Sequence, residues 1–432
     1  MRCLCNGTSS RIRGSGWGIH FAVTSLLRNV GMLVCLQGVN YLAPLIITPY
    51  LIAVCGIEVY GDVAYCLGVY VFITVVADAG LLVRGTHQVS EATGARRRRV
   101  ASAIYGARFW SGCTGSVLLV LIAMSMEGGD RRSIMLCLAP AVLAQCMQPV
   151  WYFRGIERPS DFLLIFSFGR TAFVALVLIF VKDSESPELV GLFQSCTLSF
   201  SAVLGAVIMR RRSDLGGFLD PRGAIKVLWQ ARGFGGANLG YAFLSSAGLM
   251  VLGNLAPSAV VGAYSLVDQL SKAARGLRDA VADAVLPWAA RTARGDVVTI
   301  FAIVAAMVFA ALAASVPWLG SALIEIFGSG QVSGGEPTLM LFILALALVP
   351  DSLSAFLGYP WFAARGAIER VNRCVILTAL LYGALLSGAA WMWPGSGAAT
   401  TSMYLVAVVS LAFALLFSRS RLENTSRLKC PR

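Results

Sequence analysis

Histidine is almost missing from this sequence: His20 and His87 are the only two in 432 residues. No group of His, Cys, Asp and Glu has metal-ligand spacing, and no Gly-Lys-Ser/Thr loop is present to cradle a nucleotide phosphate. Those absences remove an ATP-driven pump and a metalloenzyme, and no cofactor is expected. Charge is scarce as well. Only 13% of residues are charged against 57% hydrophobic, with a mean hydropathy of +0.74, which is too apolar for a soluble protein of this length. Long loops are lacking, so there is no room for a soluble catalytic domain. Residues 1–29 carry Arg2, Arg11, Arg13 and Arg28 but no short apolar core with a cleavage site, and a cleaved signal peptide is not expected. Most of the eleven cysteines lie inside apolar stretches and read as reduced, small apolar fillers. Cys3 and Cys5 form a lone C-x-C, too little for a metal site.

What is present is a series of apolar stretches, each near the roughly 20 residues that a helix needs to cross a bilayer. Twelve spans are expected: 31–53, 60–83, 100–124, 133–153, 162–181, 188–209, 227–252, 260–286, 298–319, 338–360, 374–393 and 399–418. Basic residues near span ends stay on the cytoplasmic side. With the amino terminus inside, the cytoplasmic segments hold 26 Lys and Arg and the opposite loops hold 3. This predicts an all-α, multi-pass protein of the bacterial inner membrane with both termini cytoplasmic. On a soluble domain the net charge of +13 would indicate nucleic acid. Here the basic residues are loop anchors, and anionic membrane lipids are the expected partner. An even span count allows two six-helix bundles, 30–209 and 227–418, joined by an Arg-rich linker at 210–226 and followed by a tail at 419–432. A faint internal echo agrees. Gly38-Val39-Asn40 resembles Gly236-Ala237-Asn238, and Gly61 with Tyr65 resembles Gly262 with Tyr264. Parallel repeats of this kind recur in secondary transporters, with the substrate site between the halves.

Charges inside the spans come next, because each costs about 2.5–3.5 kcal/mol near mid-bilayer. The cations are Arg108, Arg170, Arg232, Lys272, Arg275 and Arg278; the anions include Asp78, Asp268, Asp279, Asp283 and Asp351. All these cations fall in the cytoplasmic half, Arg108 and Arg170 roughly 12 Å deep. They either line a wet cationic cavity for an anionic cargo or snorkel to the inner headgroups. Asp268, Lys272, Arg275, Asp279 and Asp283 share one helical face, where they contact substrate or neutralise one another as a ladder. Asp78 either carries a coupling proton or pairs with Arg84 at the interface.

The stretch Asn40-Tyr-Leu-Ala-Pro44-Leu-Ile-Ile-Thr-Pro49-Tyr50, with Gly56, Tyr60 and Gly61, resembles the opening of bacterial O-antigen flippases of the Wzx type. Asp78-Ala-Gly80 with Thr86, Pro149-Val-Trp151-Tyr-Phe153-Arg-Gly155-Ile-Glu157-Arg158, and Gly262-Ala-Tyr264-Ser265 with Asp268 resemble further segments of that family, in order. Ala79, His87, Arg154 and Gln269 depart from its usual residues. The resemblance implies the polysaccharide-exporter branch of the multidrug/oligosaccharidyl-lipid/polysaccharide superfamily. Such proteins are two six-helix bundles in a V around a central cavity, and they are not enzymes. They carry undecaprenyl-diphosphate-linked oligosaccharide from the inner to the outer leaflet by alternating access, alongside other polysaccharide assembly proteins. On that reading Arg108, Arg170, Arg232, Lys272 and Arg275 line the translocation cavity. Asn40, Asn238, Tyr50, Trp151 and Tyr241 add sugar-facing hydrogen bonds and stacking, or serve ordinary packing and the interfacial belt. Asp78, Asp268, Arg84 and Arg154 are the candidates for coupling or gating. A cation-coupled drug or metabolite exporter of the same architecture would favour acidic residues in the cavity. A membrane polymerase or acyltransferase would need a long external loop or a catalytic His/Asp cluster.

Overall fold

A computed structural model describes residues 42–212, 221–292, 295–332, 334–357, 361–362 and 367–428. The expected site residue Asn40 lies outside the described residues, as do the side chains of Arg232 and Asp283. Fourteen helices are described. The first eight are α1 (Leu42–Cys55), α2 (Ile57–Asp78), α3 (Leu81–Glu91), α4 (Gly94–Met124), α5 (Asp130–Cys146), α6 (Val150–Gly155), α7 (Pro159–Phe180) and α8 (Glu188–Arg211). The remaining six are α9 (Pro221–Leu255), α10 (Ser258–Thr292), α11 (Gly295–Phe327), α12 (Gly335–Leu357), α13 (Ile368–Met392) and α14 (Gly397–Leu428). Eight stretches are long and apolar enough to cross a membrane, one of them α5 and α6 taken together (Asp130–Gly155), with Leu42–Cys55 and Ile165–Phe180 as shorter apolar helices. Large apolar side chains such as Trp318, Ile326 and Phe413 point outward, as they do when lipid replaces water around a bundle. The protein is an all-α, multi-pass membrane protein.

Two expected spans are broken. Ala79 and Gly80 adopt left-handed backbone at φ 48° and 83°, which ends α2 at Asp78 and turns the chain into α3. The expected loop at 84–99 is therefore largely helical. The span at 133–153 divides into α5 and α6 around Pro149, which has no N–H to donate to a continuing helix. Gly205 on α8 makes room for that ring, since a Cβ there would lie 2.5 Å from the Pro149 Cγ. The start of α9 at Pro221 shortens the expected linker. The seven described cysteines are free thiols.

α2 is the helix on which the two parts of the chain meet. It packs on α4, α5 and α8 from the amino-terminal part and on α9 and α10 from the carboxy-terminal part. Its crossing with α10 is made by glycine. A Cβ on Gly61 would sit 2.0 Å from the Ser258 carbonyl oxygen, and one on Gly262 would sit 2.4 Å from that of Ile57. The residues paired by the sequence echo are thus packed against each other, backbone on backbone, as small residues permit in membrane helices. Gly61→Ala is expected to lower stability by about 1–3 kcal/mol through overpacking. Gly388→Ala, where the added methyl meets nothing within 4 Å, should be neutral or raise stability by about 0.5–1 kcal/mol. Thermal melting of the two variants in detergent checks this order.

Candidate functional site

A cavity of about 740 Å³ lies between the two parts of the chain, walled by α2, α4 and α5 on one side and α9, α10, α12 and α14 on the other. Three arginines and three aspartates line it: Arg108, Arg275, Arg278, Asp78, Asp279 and Asp351. They are joined as ion pairs. Arg108 on α4 binds Asp78 at the end of α2, and its Nε donates to the Cys146 carbonyl at the end of α5. Arg278 Nη2 donates to Asp279 Oδ1 at 2.7 Å, and its Nη1 lies 2.6 Å from Asp351 Oδ2 on α12. Arg275 donates to Tyr404 Oη at 2.8 Å and to Asp268 Oδ1 at 3.2 Å, while Lys272 Nζ lies 2.6 Å from Asp268 Oδ2.

The cavity expected to be cationic is thus lined, among the described residues, by arginines and aspartates in equal number. Burial makes an isolated charge so costly that each of these cations carries a carboxylate with it. The expected Asp78–Arg84 pair is corrected, since Arg108 takes the Asp78 carboxylate. The face of α10 carries the ladder. Asp268 neutralises Lys272 and Arg275 along the helix, while Arg278 reaches across to Asp351.

Other expected site residues fall in different places. Asn238 and Tyr241 line the cavity from α9. Lys272 lines a smaller neighbouring chamber, and Arg170 borders that chamber and a second one without lining the large cavity. Trp151 does not face the cavity. It is fully buried in an aromatic knot with Tyr152 and Phe153, packed on Val89, Ile104 and Met209. Gly85 and Gly155 allow α3 to lie on α6, because a Cβ at either would come within 2.9 Å of the other helix. That segment is a packing device. Tyr50 Oη donates to the Leu178 and Val181 carbonyls at the end of α7, and Arg154 is exposed. Sequence reasoning did not find Tyr404 or Gln148 as cavity residues, since a lone Tyr or Gln in an apolar run has no periodicity to set it apart.

A second cluster went unnoticed because Asp62 and Arg131 sit at helix starts, where charges read as solvated. Arg131 on α5 donates to Asp62 Oδ1 at 2.6 Å, to the Gly253 carbonyl at 2.6 Å and to Ser258 Oγ at 3.1 Å. Its guanidinium also lies 4.8 Å from the centre of the Tyr65 ring. This clamp ties α2, α5, α9 and α10 together beside the Gly61–Gly262 crossing. At the opposite end, the first turns of α9 lie on α3 and α4 through Leu81, Ala107, Ala224 and Ala231. There Arg84 donates to the Val227 carbonyl at 3.2 Å and to Gln230 Oε1 at 2.5 Å.

α9 presents two unlike faces. Asn238, Tyr241, Ala242 and Ser245, at helical spacing, front the charged cavity. The opposite face, with Gly236, Gly240, Phe243 and Ala247, lines an apolar groove of about 1150 Å³ shared with α13 and Phe72 of α2. One helix thus separates a polar chamber from an apolar one.

Comparison with known proteins fits this arrangement. The chain is 24% identical over 277 residues to an Escherichia coli K12 protein described as "Putative O-antigen transporter", the match spanning 61% of this chain and 64% of that one. A Shigella dysenteriae protein with the same description is 21% identical over 82% of this chain and 90% of its own length. Among solved structures, the lipid II flippase MurJ in an inward closed conformation superposes with a TM-score of 0.68 at 11% identity, covering 90% of this chain and 87% of that one. An inward-facing multidrug resistance MATE family transporter of the MOP superfamily gives 0.65 at 16% identity over 91% and 96%. These likenesses establish the fold. Residues 26–293, more than half of the sequence, match the model of one family, and the chain belongs to that family, the polysaccharide biosynthesis proteins.

Proposed function

We propose that this protein carries an amphiphile with an anionic head across the bacterial inner membrane. On this reading the cargo is an undecaprenyl-diphosphate-linked oligosaccharide, destined for O-antigen or another surface polysaccharide. The observation that carries the reading is the septum formed by α9. A diphosphate and its sugars need a polar, donor-rich chamber, which the cavity supplies through Arg108, Arg275 and Arg278. A polyprenyl tail needs hydrocarbon, which the groove on the other face of α9 supplies. Guanidinium groups suit this cargo because their planar donors match phosphate oxygens two at a time.

Alternating access follows from the two closures. With the amino terminus in the cytoplasm, as the distribution of Lys and Arg favours, the Arg131 clamp closes the outer end and the Arg84 contacts to α9 close the inner one. Transport breaks one closure while the other holds. The related O-antigen transporters support the cargo class. The rival reading, a cation-coupled drug exporter, is less well served, because every aspartate lining the cavity lies against an arginine.

Arg108→Gln is expected to cut surface polysaccharide display by about tenfold or more, one lost transition-state interaction being worth that much. This leaves the Asp78 carboxylate unpaired, which is itself destabilising. The double variant Asp78→Asn/Arg108→Gln should therefore restore protein level without restoring display. Immunoblotting and polysaccharide staining in a flippase-deleted strain separate the two effects. A double variant with normal display would reduce the pair to a folding role.

The outer closure has its own test. Cysteines at Asp62 and Ser258, whose side chains are 2.7 Å apart, should form a bridge under oxidation in a background freed of the native cysteines. Display is expected to stop when the bridge forms and to return with reductant. Undiminished display in the oxidised protein would mean that this end does not open during transport.

A further inference from the structure

Among the described residues one intramembrane arginine has no counter-charge. Arg170 on α7 makes no ion pair with any described residue, and its buried Nε has no hydrogen-bond partner. Among the described residues its neighbours are the Phe173 ring, 5.5 Å from the guanidinium carbon, and the Tyr70 phenol. The four other intramembrane cations whose side chains are described, Arg108, Lys272, Arg275 and Arg278, each hold a carboxylate. A group of this kind needs an opposite charge or a wet cavity in hydrocarbon. Arg170 has the cavity.

The larger chamber beside it has a volume of about 280 Å³ and no acidic residue among its lining. Besides Arg170, its polar lining comes from the Gln145 and Gln194 amides and the hydroxyls of Tyr70, Thr74, Thr197 and Ser201, with Tyr70 hydrogen-bonded to Gln194. Thr74 and Ser201 donate to carbonyls of their own helices at 2.8 and 2.9 Å, bonds that a stronger acceptor can replace by rotation of the hydroxyl. Gly169 keeps the wall open: a Cβ there would lie 2.2 Å from Ser201 Oγ. Thr74, Val75 and Gln145 border both this chamber and the charged cavity, so an anion in one is adjacent to the other. The space is several times the roughly 30 Å³ share of one water molecule, enough for a phosphate group.

We infer that Arg170, with Gln145, Gln194 and Ser201, forms a phosphate-class oxyanion site inside the amino-terminal part, separate from the ion-paired cavity. A guanidinium free of carboxylate and ringed by amide and hydroxyl donors matches an oxyanion's several acceptors. Two sources share that chemistry: the diphosphate of a lipid-linked cargo, which rests on the function proposed above, and free phosphate or diphosphate.

The test is calorimetric titration and thermal melting of the purified full chain in a nonionic detergent, with inorganic diphosphate and with polyprenyl diphosphate as probes. Wild type is expected to bind inorganic diphosphate and melt at a higher temperature in its presence, as any ligand specific to the folded state requires. Arg170→Gln should weaken binding by about tenfold or more, as loss of a charge-assisted pair implies. Arg170→Lys should fall between them, and the exposed Arg373→Gln should match wild type. Competition between the two probes identifies the site as a seat for the cargo head; simultaneous binding identifies it as a seat for the free anion. Without anion, Arg170→Gln should melt no lower than wild type, because it removes an uncompensated charge. A lower melting temperature would reveal a structural partner and overturn the site. So would equal affinities in Arg170→Gln and wild type, or a wild type that binds neither probe. Arg170-dependent binding by a protein that fails to restore polysaccharide display would keep this site and reject the transport reading. Restored display with binding insensitive to Arg170 would do the reverse.

Discussion

A charge placed in hydrocarbon must be neutralised where it stands or sit beside a wet cavity, and that constraint organises the molecule. Asp78–Arg108 joins α2 to α4, Asp62–Arg131 joins α2 to α5, and Arg278–Asp351 joins α10 to α12. Because helices in lipid gain little from hydrophobic attraction to one another, such pairs and close glycine crossings decide which helices touch. Two of the three pairs draw on α2, which is also the helix that meets both parts of the chain. Removing one partner of a buried pair typically costs about 3–5 kcal/mol, more than most packing changes. The pairs therefore specify the arrangement as well as stabilise it.

The same constraint explains the shape of the cavity wall. α9 must front a polar chamber and the apolar phase at once, and it does so with small polar residues on one face and glycine and alanine with Phe243 on the other. Phe243 makes edge-to-face contacts with Phe72 of α2 and Tyr382 of α13, with ring centres 6.4 and 6.2 Å apart. These contacts line the border where α2, α9 and α13 meet. An amphiphile lodged across this helix would keep its head and its tail in their own media without crossing an intact polar–apolar boundary.

The sequence made the class legible because span length and loop charge are local properties. It also singled out the buried charges, since an Arg or Asp inside an apolar run is conspicuous wherever it pairs. Pairing along one helix was legible in the Asp268, Lys272 and Arg275 ladder, but pairing between helices was not. Asp78 has Arg84 six residues away and Arg108 thirty residues away, and only the packing of α4 on α2 selects the distant one. Of the two readings of Trp151, sugar contact or ordinary packing, the fold shows packing, because Gly85 and Gly155 bring α3 onto that segment and close it off. Gly61 and Gly262 were legible as an echo, but their contact with each other required the crossing of α2 and α10. Breaks at Ala79 and Pro149 were hidden in continuous hydropathy, because a left-handed residue or a missing N–H changes direction without changing polarity.

A cavity whose charges are already paired suits a carrier better than one lined by free cations. Transport requires that a ligand bind well enough to enter and weakly enough to leave. A diphosphate surrounded by unpaired arginines would satisfy the first demand and fail the second. On the proposed reading each arginine would exchange one anionic partner for another, so an entering phosphate would displace a carboxylate and the returning carboxylate would help to expel it. Asp78 is well placed to transmit that exchange. It terminates α2, and Asp62 of the clamp lies sixteen residues earlier on the same helix, roughly 24 Å away at 1.5 Å per residue. If Arg108 turned from Asp78 to a cargo phosphate, as the proposed reading requires, α2 would lose its tie to α4 at one end while Arg131 and the Gly61 crossing held the other. The helix would then be free to pivot about that glycine contact, and on the proposed reading this would link the occupancy of the cavity to which end of the bundle stays shut.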